Sequence, residues 1–259
     1  MNDDLEQLIK SLRLNRIGQI IERELDRALQ NKVSYSDFLC RLLREEYLAK
    51  QERSMQYRIK QACLPEQWTL ESFPFDKQPG VSKAAIYQLA ELDFIPSATN
   101  LVFIGPTAVG KTGLGLSILR KALDNGYRGR FIKAQDLFDE MYESLADRST
   151  KALLNRLASI DLLLIDEMGY LNLSQQQTNI FFRLMEERYN RKSTMITTNL
   201  EYDEWYDFLG NKRMVEALLS RLRHHCRTIT IDGPPLRTPQ EPAPQPKAQK
   251  DTAAGKNKA

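Results

Sequence analysis

Gly105-Pro106-Thr107-Ala108-Val109-Gly110-Lys111-Thr112, GPTAVGKT, follows the apolar run Leu101-Val102-Phe103-Ile104 and leads through Gly113 into a helix expected over Leu114 to Leu123. Apolar strand, glycine-bounded loop and helix, in that order, make a cradle for phosphate. The two glycines let the backbone wrap closely enough for its N–H groups to point at α- and β-phosphates. Lys111 can reach the β- and γ-phosphates, and Thr112 carries a hydroxyl suited to Mg²⁺. The helix amino terminus adds its partial positive charge. The expected nucleotide contacts are Gly105, Pro106, Thr107, Ala108, Val109, Gly110, Lys111, Thr112 and Gly113, with ATP and Mg²⁺ as the ligands.

A loop of this kind binds nucleotide without hydrolysing it, so acids on a second strand are required. Leu162-Leu163-Leu164-Ile165-Asp166-Glu167 supplies them. Asp166 is placed to hold Mg²⁺ alongside Thr112, and Glu167, one residue on, to polarise the attacking water as general base. A third apolar segment, Ser193-Thr194-Met195-Ile196-Thr197-Thr198, ends at Asn199, where AAA+ ATPases keep the residue that senses the γ-phosphate. The helix Val215 to Arg223 ends in basic residues, and in AAA+ proteins an arginine there reaches a neighbouring subunit's ATP. Arg221 is the first choice and Arg223 the second; basic residues also complement a helix carboxyl terminus without further purpose. The catalytic set expected from these segments is Glu167, Lys111, Arg221 and Asn199. A P-loop kinase acting on a metabolite is the competing chemistry, and adjacent Asp166 and Glu167 favour the hydrolase. A GTPase is disfavoured because Asn211-Lys212-Arg213-Met214 lacks the acid of an N-K-x-D element.

These segments together resemble the IstB family, the AAA+ helper ATPases of bacterial insertion sequences, which are similar to the DnaC helicase loaders. The resemblance runs to about residue 237. It is carried by LRLNRIGQI (Leu12 to Ile20), YSDFLCRLLREE (Tyr35 to Glu46), ACLPE (Ala62 to Glu66), GPTAVGKT, LLLIDEMGYL (Leu162 to Leu171), MITTNL and LLSRLRHHC. Where the family usually has a Gly-x-Ser-Tyr-Arg turn, this chain has Gly233-Pro234-Pro235-Leu236-Arg237, which puts a nucleotide-sensing role for Arg237 in doubt. The resemblance implies a homo-oligomer with ATP sites at subunit interfaces, binding double-stranded DNA and working with a cognate transposase in target choice and insertion. A DnaC-like loader, binding single-stranded DNA and a replicative helicase, is the alternative.

Composition adds little to this. Of 259 residues, 37 are Lys or Arg and 34 Asp or Glu, a net charge of +3. Residues 1–60 carry 12 basic against 10 acidic side chains, 61–236 carry 20 against 22, and 237–259 carry 5 against 2. A nucleic-acid binder usually shows a stronger basic stripe. Cys40, Cys63 and Cys226 lie far apart and the histidines are the adjacent His224 and His225, which argues against a zinc site and a disulfide framework. The first residues are acidic and amphipathic, and no apolar run approaches a membrane span, which points to a cytoplasmic protein without membrane contact.

The expected fold class is α/β: a P-loop AAA+ core, a parallel sheet flanked by helices, without a lid domain and preceded by a small helical domain. Residues 1–62 form that helical domain, with apolar spacing of three and four at Leu5, Leu8, Ile9 and Leu12, at Ile17, Ile20, Ile21 and Leu25, and at Phe38, Leu39, Leu42 and Leu43. It is read as a partner- or DNA-docking unit. A helix is expected to start at Ser34 or Ser36, and a basic one to run from Glu45 to Lys60. Residues 63–80, with Pro65, Pro74 and Pro79, form a linker in which Phe73 and Phe75 are placed to meet the adenine ring. Residues 81–237 form the core, with strands at 101–104, 130–133, 161–166, 194–198 and 228–231 alternating with helices. Residues 238–259, rich in Pro, Gln, Ala and Lys, are expected to be disordered.

Overall fold

The strands of the core are short, apolar on both faces and separated by helical segments, a pattern that calls for a parallel sheet with helices on either side. The computed structural model, which describes residues 3–169 and 171–237, has that sheet. Tyr170 and the tail 238–259 lie outside the described residues. Three helices come first: α1 (Asp3–Ser11), α2 (Asn15–Asn31) and α3 (Tyr35–Ala62). After a 3₁₀ turn at Phe75–Lys77 and α4 (Lys83–Leu89), the core runs β1 (Asn100–Ile104), α5 (Lys111–Asp124), β2 (Gly129–Lys133), α6 (Ala134–Ala146), α7 (Thr150–Ala158) and β3 (Leu162–Met168). It continues with α8 (Gln175–Arg188), β4 (Ser193–Thr198), α9 (Trp205–Leu209), α10 (Lys212–His224) and β5 (Cys226–Thr230).

All four pairings are parallel and the strand order is β2-β3-β4-β1-β5. Alternation along each strand sorts its side chains between two cores. Leu101 and Phe103 join Leu162, Leu164 and Met195 against α4 and α5. Val102 and Ile104 join Leu163, Ile165 and Ile196 against α6 to α10. This order puts the carboxyl end of β1, which feeds the phosphate loop, one strand away from the carboxyl end of β3, which bears the acids, with β4 between them.

Several local features differ from the expectation, which contained neither α4 nor α9. The helix expected from Glu45 to Lys60 is the second half of α3, which runs unbroken for 28 residues because no Gly or Pro interrupts it. Its cap is Ser34, whose side chain accepts the Asp37 N–H. The first half of α3 packs with α1 and α2 around Ile9, Ile17, Ile20, Ile21 and Leu42. Its second half reaches the core, where Arg58 Nε donates to the Leu123 carbonyl at the end of α5, 3.0 Å away. Helix α7, with Leu153, Leu154 and Leu157 buried, was not expected, since nine residues without a side-chain cap leave little periodic signal. The last strand begins at Cys226, two residues early. Among the described residues, no helix is long and apolar enough to cross a membrane.

Candidate nucleotide site

The loop after β1 is held tightly because its glycines admit close approach. A Cβ on Gly105 would fall 2.4 Å from the Ile231 carbonyl oxygen, and one on Gly110 2.7 Å from the Phe73 ring. Gly110, at φ 98°, is also in the left-handed region open to glycine, and it caps α5. Lys111 is the first residue of that helix. Its Nζ donates to the Gly105 and Pro106 carbonyls at 2.7 and 2.6 Å. Burial lowers the Lys111 pKa from its ordinary value, and the charges of Asp166 and Glu167 act the other way.

Thr112 Oγ1 donates to both Asp166 oxygens, at 2.9 and 3.1 Å. From the intervening strand, Thr197 Oγ1 donates to Asp166 Oδ1 at 2.5 Å and accepts the Glu167 N–H at 3.0 Å. Asp166 is 2% exposed. Burial raises its pKa, against the lowering effect of the Thr197 and Thr112 hydrogen bonds. A hydroxyl and a carboxylate brought together at a helix amino terminus form an oxygen donor set that suits a hard cation such as Mg²⁺.

Glu167 is treated differently by the backbone. The β3–β4 register shifts between Ile165 and Met168, and Glu167 takes φ 58°. A non-glycine residue in that region is strained, and such positions concentrate at functional sites. The bulge turns Glu167 into the open while Asp166 and Met168 stay buried. Its carboxylate then meets Lys133, the last residue of β2, at 3.7 Å. Asn199 follows β4, with its Oδ1 beside Gly169.

Arg221 does not join this group. It sits near the end of α10, which leads into the start of β5, where Cys226 pairs with Asn100 at the start of β1. Arg221 and Asn100 line the same cavity. Arg221 therefore lies towards the amino-terminal edge of the sheet, the edge opposite the phosphate loop, and pairs with Glu186 of α8 at 3.4 Å. Phe73 is packed onto Gly110 and tilted against Trp68, while the Phe75 ring stands 4.8 Å from Phe73 with Lys83 Nζ 5.7 Å above it. Sequence reasoning missed Thr197, Lys133 and Gln78. None of the three carried a signal: Thr197 is one of four hydroxyl residues in β4, with Ser193, Thr194 and Thr198, and nothing in the strand marks it out.

A model of IstB-like ATP-binding proteins matches residues 7–242. This chain belongs to the IstB-like family. The relatives of this IstB-like chain include the protein named for ATP binding in insertion sequence IS21 of Pseudomonas aeruginosa, 33% identical over 90% of this chain and 88% of that one. Its counterpart in IS5376 of Geobacillus stearothermophilus is 35% identical over 86% and 89%. Among solved structures, the DnaC helicase loader superposes with a TM-score of 0.51 at 24% identity, covering 58% of this chain and 88% of that one. The replication initiator DnaA bound to AMPPCP and single-stranded DNA gives 0.56 at 22%, covering 66% and 51%. At such identities these neighbours show the fold, a P-loop AAA+ core. Both IstB-like relatives carry the names of insertion-sequence ATP-binding proteins.

Proposed function

We propose that this IstB-like chain is a Mg²⁺-dependent ATPase that assembles on double-stranded DNA and works with the transposase of its element in target choice and insertion. The observation that carries the catalytic part is the contact of Thr112 with the buried Asp166 at the mouth of the phosphate loop, with Glu167 turned outward one residue later. Thr112 and Asp166 would hold Mg²⁺, which neutralises charge on the phosphates. The N–H groups from Thr107 to Gly113 and the Lys111 ammonium bind and orient the triphosphate; Pro106 has no N–H and that of Gly105 is held by the Thr198 carbonyl. Glu167 takes a proton from the attacking water, positioned by the Thr197 bond to its N–H. Asn199, beside Gly169 after β4, is assigned to sensing the γ-phosphate.

Arg221 faces away from its own chain's site, so stabilisation of the transferring phosphoryl group by this side chain requires a second subunit. That placement supports the homo-oligomer as the active unit. Docking of partner or DNA is assigned to the helical segment 1–62. The deciding experiment measures binding to matched duplex and single-stranded DNA with ATP, with ADP and without nucleotide, at two salt concentrations. Tight, ATP-dependent duplex binding that weakens with salt is the expected result. Preference for single strands would replace this proposal with a helicase-loading role.

A further inference from the structure

Two carbonyl groups of the phosphate loop are gripped from outside by parts of the chain far away in sequence. The Ala108 carbonyl accepts the Leu236 N–H at 2.8 Å. The Val109 carbonyl accepts Gln78 Nε2 at 3.0 Å, and the same amide nitrogen donates to the Pro234 carbonyl at 3.1 Å. In a trans peptide the carbonyl and the following N–H point in opposite directions. Fixing the Ala108 and Val109 oxygens therefore aims the N–H groups of Val109 and Gly110 at the other side of the loop. Among the described residues neither N–H has an acceptor.

We propose that Gln78, assisted by the Leu236 N–H, is a positioning residue that pre-orients the Val109 and Gly110 N–H groups for phosphate. The proposal rests on the reading of Gly105 to Gly113 as the phosphate site. Gln78 is fully buried, yet its Oε1 has no donor. An unpaired buried acceptor is costly. The reversed amide would be worse, because it would set Oε1 against two carbonyl oxygens. The neighbouring chain is shaped to admit this side chain: a Cβ on Gly233 would lie 1.6 Å from Gln78 Oε1, and one on Gly80 2.3 Å from the Asp232 oxygen. Phe73 and Leu236 close the outer side of Gly110. Gln78 touches no phosphate; it acts through the peptide planes it holds.

The test uses the full chain and the variant Gln78→Leu, which keeps the bulk and removes both donors. Affinities for ATP, ADP and adenosine are read by displacement of a fluorescent ADP, with adenosine taken to millimolar concentration. ATP and ADP should bind about tenfold more weakly, the scale expected for disturbing hydrogen bonds to a charged group, while adenosine displaces as it does from the unaltered chain. ATP affinity within twofold of the unaltered chain overturns the proposal, and so does a loss shared equally by adenosine. If Gln78→Leu does not fold, Leu236→Pro removes the N–H on Ala108 together with the side chain beside Gly110, so Leu236→Ala, which keeps the N–H, is its control: the same selective loss is required of Leu236→Pro and not of Leu236→Ala. An unaltered chain that binds neither ATP nor ADP would instead defeat the reading of the loop itself.

Discussion

Asp166 and Glu167 are adjacent in sequence and live in opposite surroundings, so their substitutions should behave differently. Burial raises the Asp166 pKa above its ordinary value. Between those two values the folded chain holds the proton more than the unfolded chain does, so stability falls as pH rises through that window. Asp166→Asn should therefore raise the melting temperature of the nucleotide-free protein at about pH 7, with the gain shrinking towards about pH 4. A lower melting temperature at neutral pH would contradict this account of the site. Glu167→Gln should keep ATP binding and slow hydrolysis by about two orders of magnitude, the loss expected for a general base. Steady-state phosphate release together with nucleotide binding separates the two effects. At this scale, the phosphate loop and both acids were legible because each needs a fixed residue type at a fixed spacing. Thr197, Lys133 and Gln78 were not, because their roles depend on which strand or segment lies beside them.

Helix α2 has no side-chain cap of its own, since Leu14 precedes it. Its first N–H groups are capped from another element: Glu46 of α3 accepts from Arg16 N at 2.7 Å and Ile17 N at 3.0 Å, and pairs with Arg53 at 3.1 Å. Glu46 is 3% exposed. Glu46→Ala leaves two donors unsatisfied and should destabilise the amino-terminal helices by about 2 kcal/mol. Helical circular dichroism during urea unfolding would register it, and an unchanged midpoint would mean that water replaces the carboxylate without loss. Arg188 ties α7, α8 and β4 together in the same manner, donating to the Leu157 and Ile160 carbonyls, to Thr194 Oγ1 and to the Ser193 carbonyl. Burial lowers its pKa to about 9. Neither contact has a sequence signal, because a long charged side chain looks the same whether it caps a distant backbone or faces water. Apolar spacing of three and four marked α1, α2 and the first half of α3; it did not mark α4, α7 or α9, short segments whose helical form rests on packing against the core.

Across the whole molecule, the separation of Arg221 from Thr112 and Asp166 makes a requirement on assembly. Arg221→Ala should bind ATP nearly normally and hydrolyse it slowly. Mixed with Lys111→Ala, which cannot bind but can offer Arg221, activity should return in part. Absence of recovery at every mixing ratio would mean that Arg221 does not act between subunits. The sequence by itself determined the phosphate loop, the acid pair, the order of strands and helices along the chain and the family resemblance. Those follow from local chemistry: glycine where backbone must approach phosphate, apolar runs where a strand is buried on both faces, two acids where a strand emerges. Only the tertiary structure decided the strand order β2-β3-β4-β1-β5, which brings Thr197 between loop and acids, the outward turn of Glu167, the grip of Gln78 and Leu236 on the loop, and the opposite placement of Arg221. Those depend on contacts between segments tens to more than a hundred residues apart, and spacing along a chain does not record which distant segment will lie beside it.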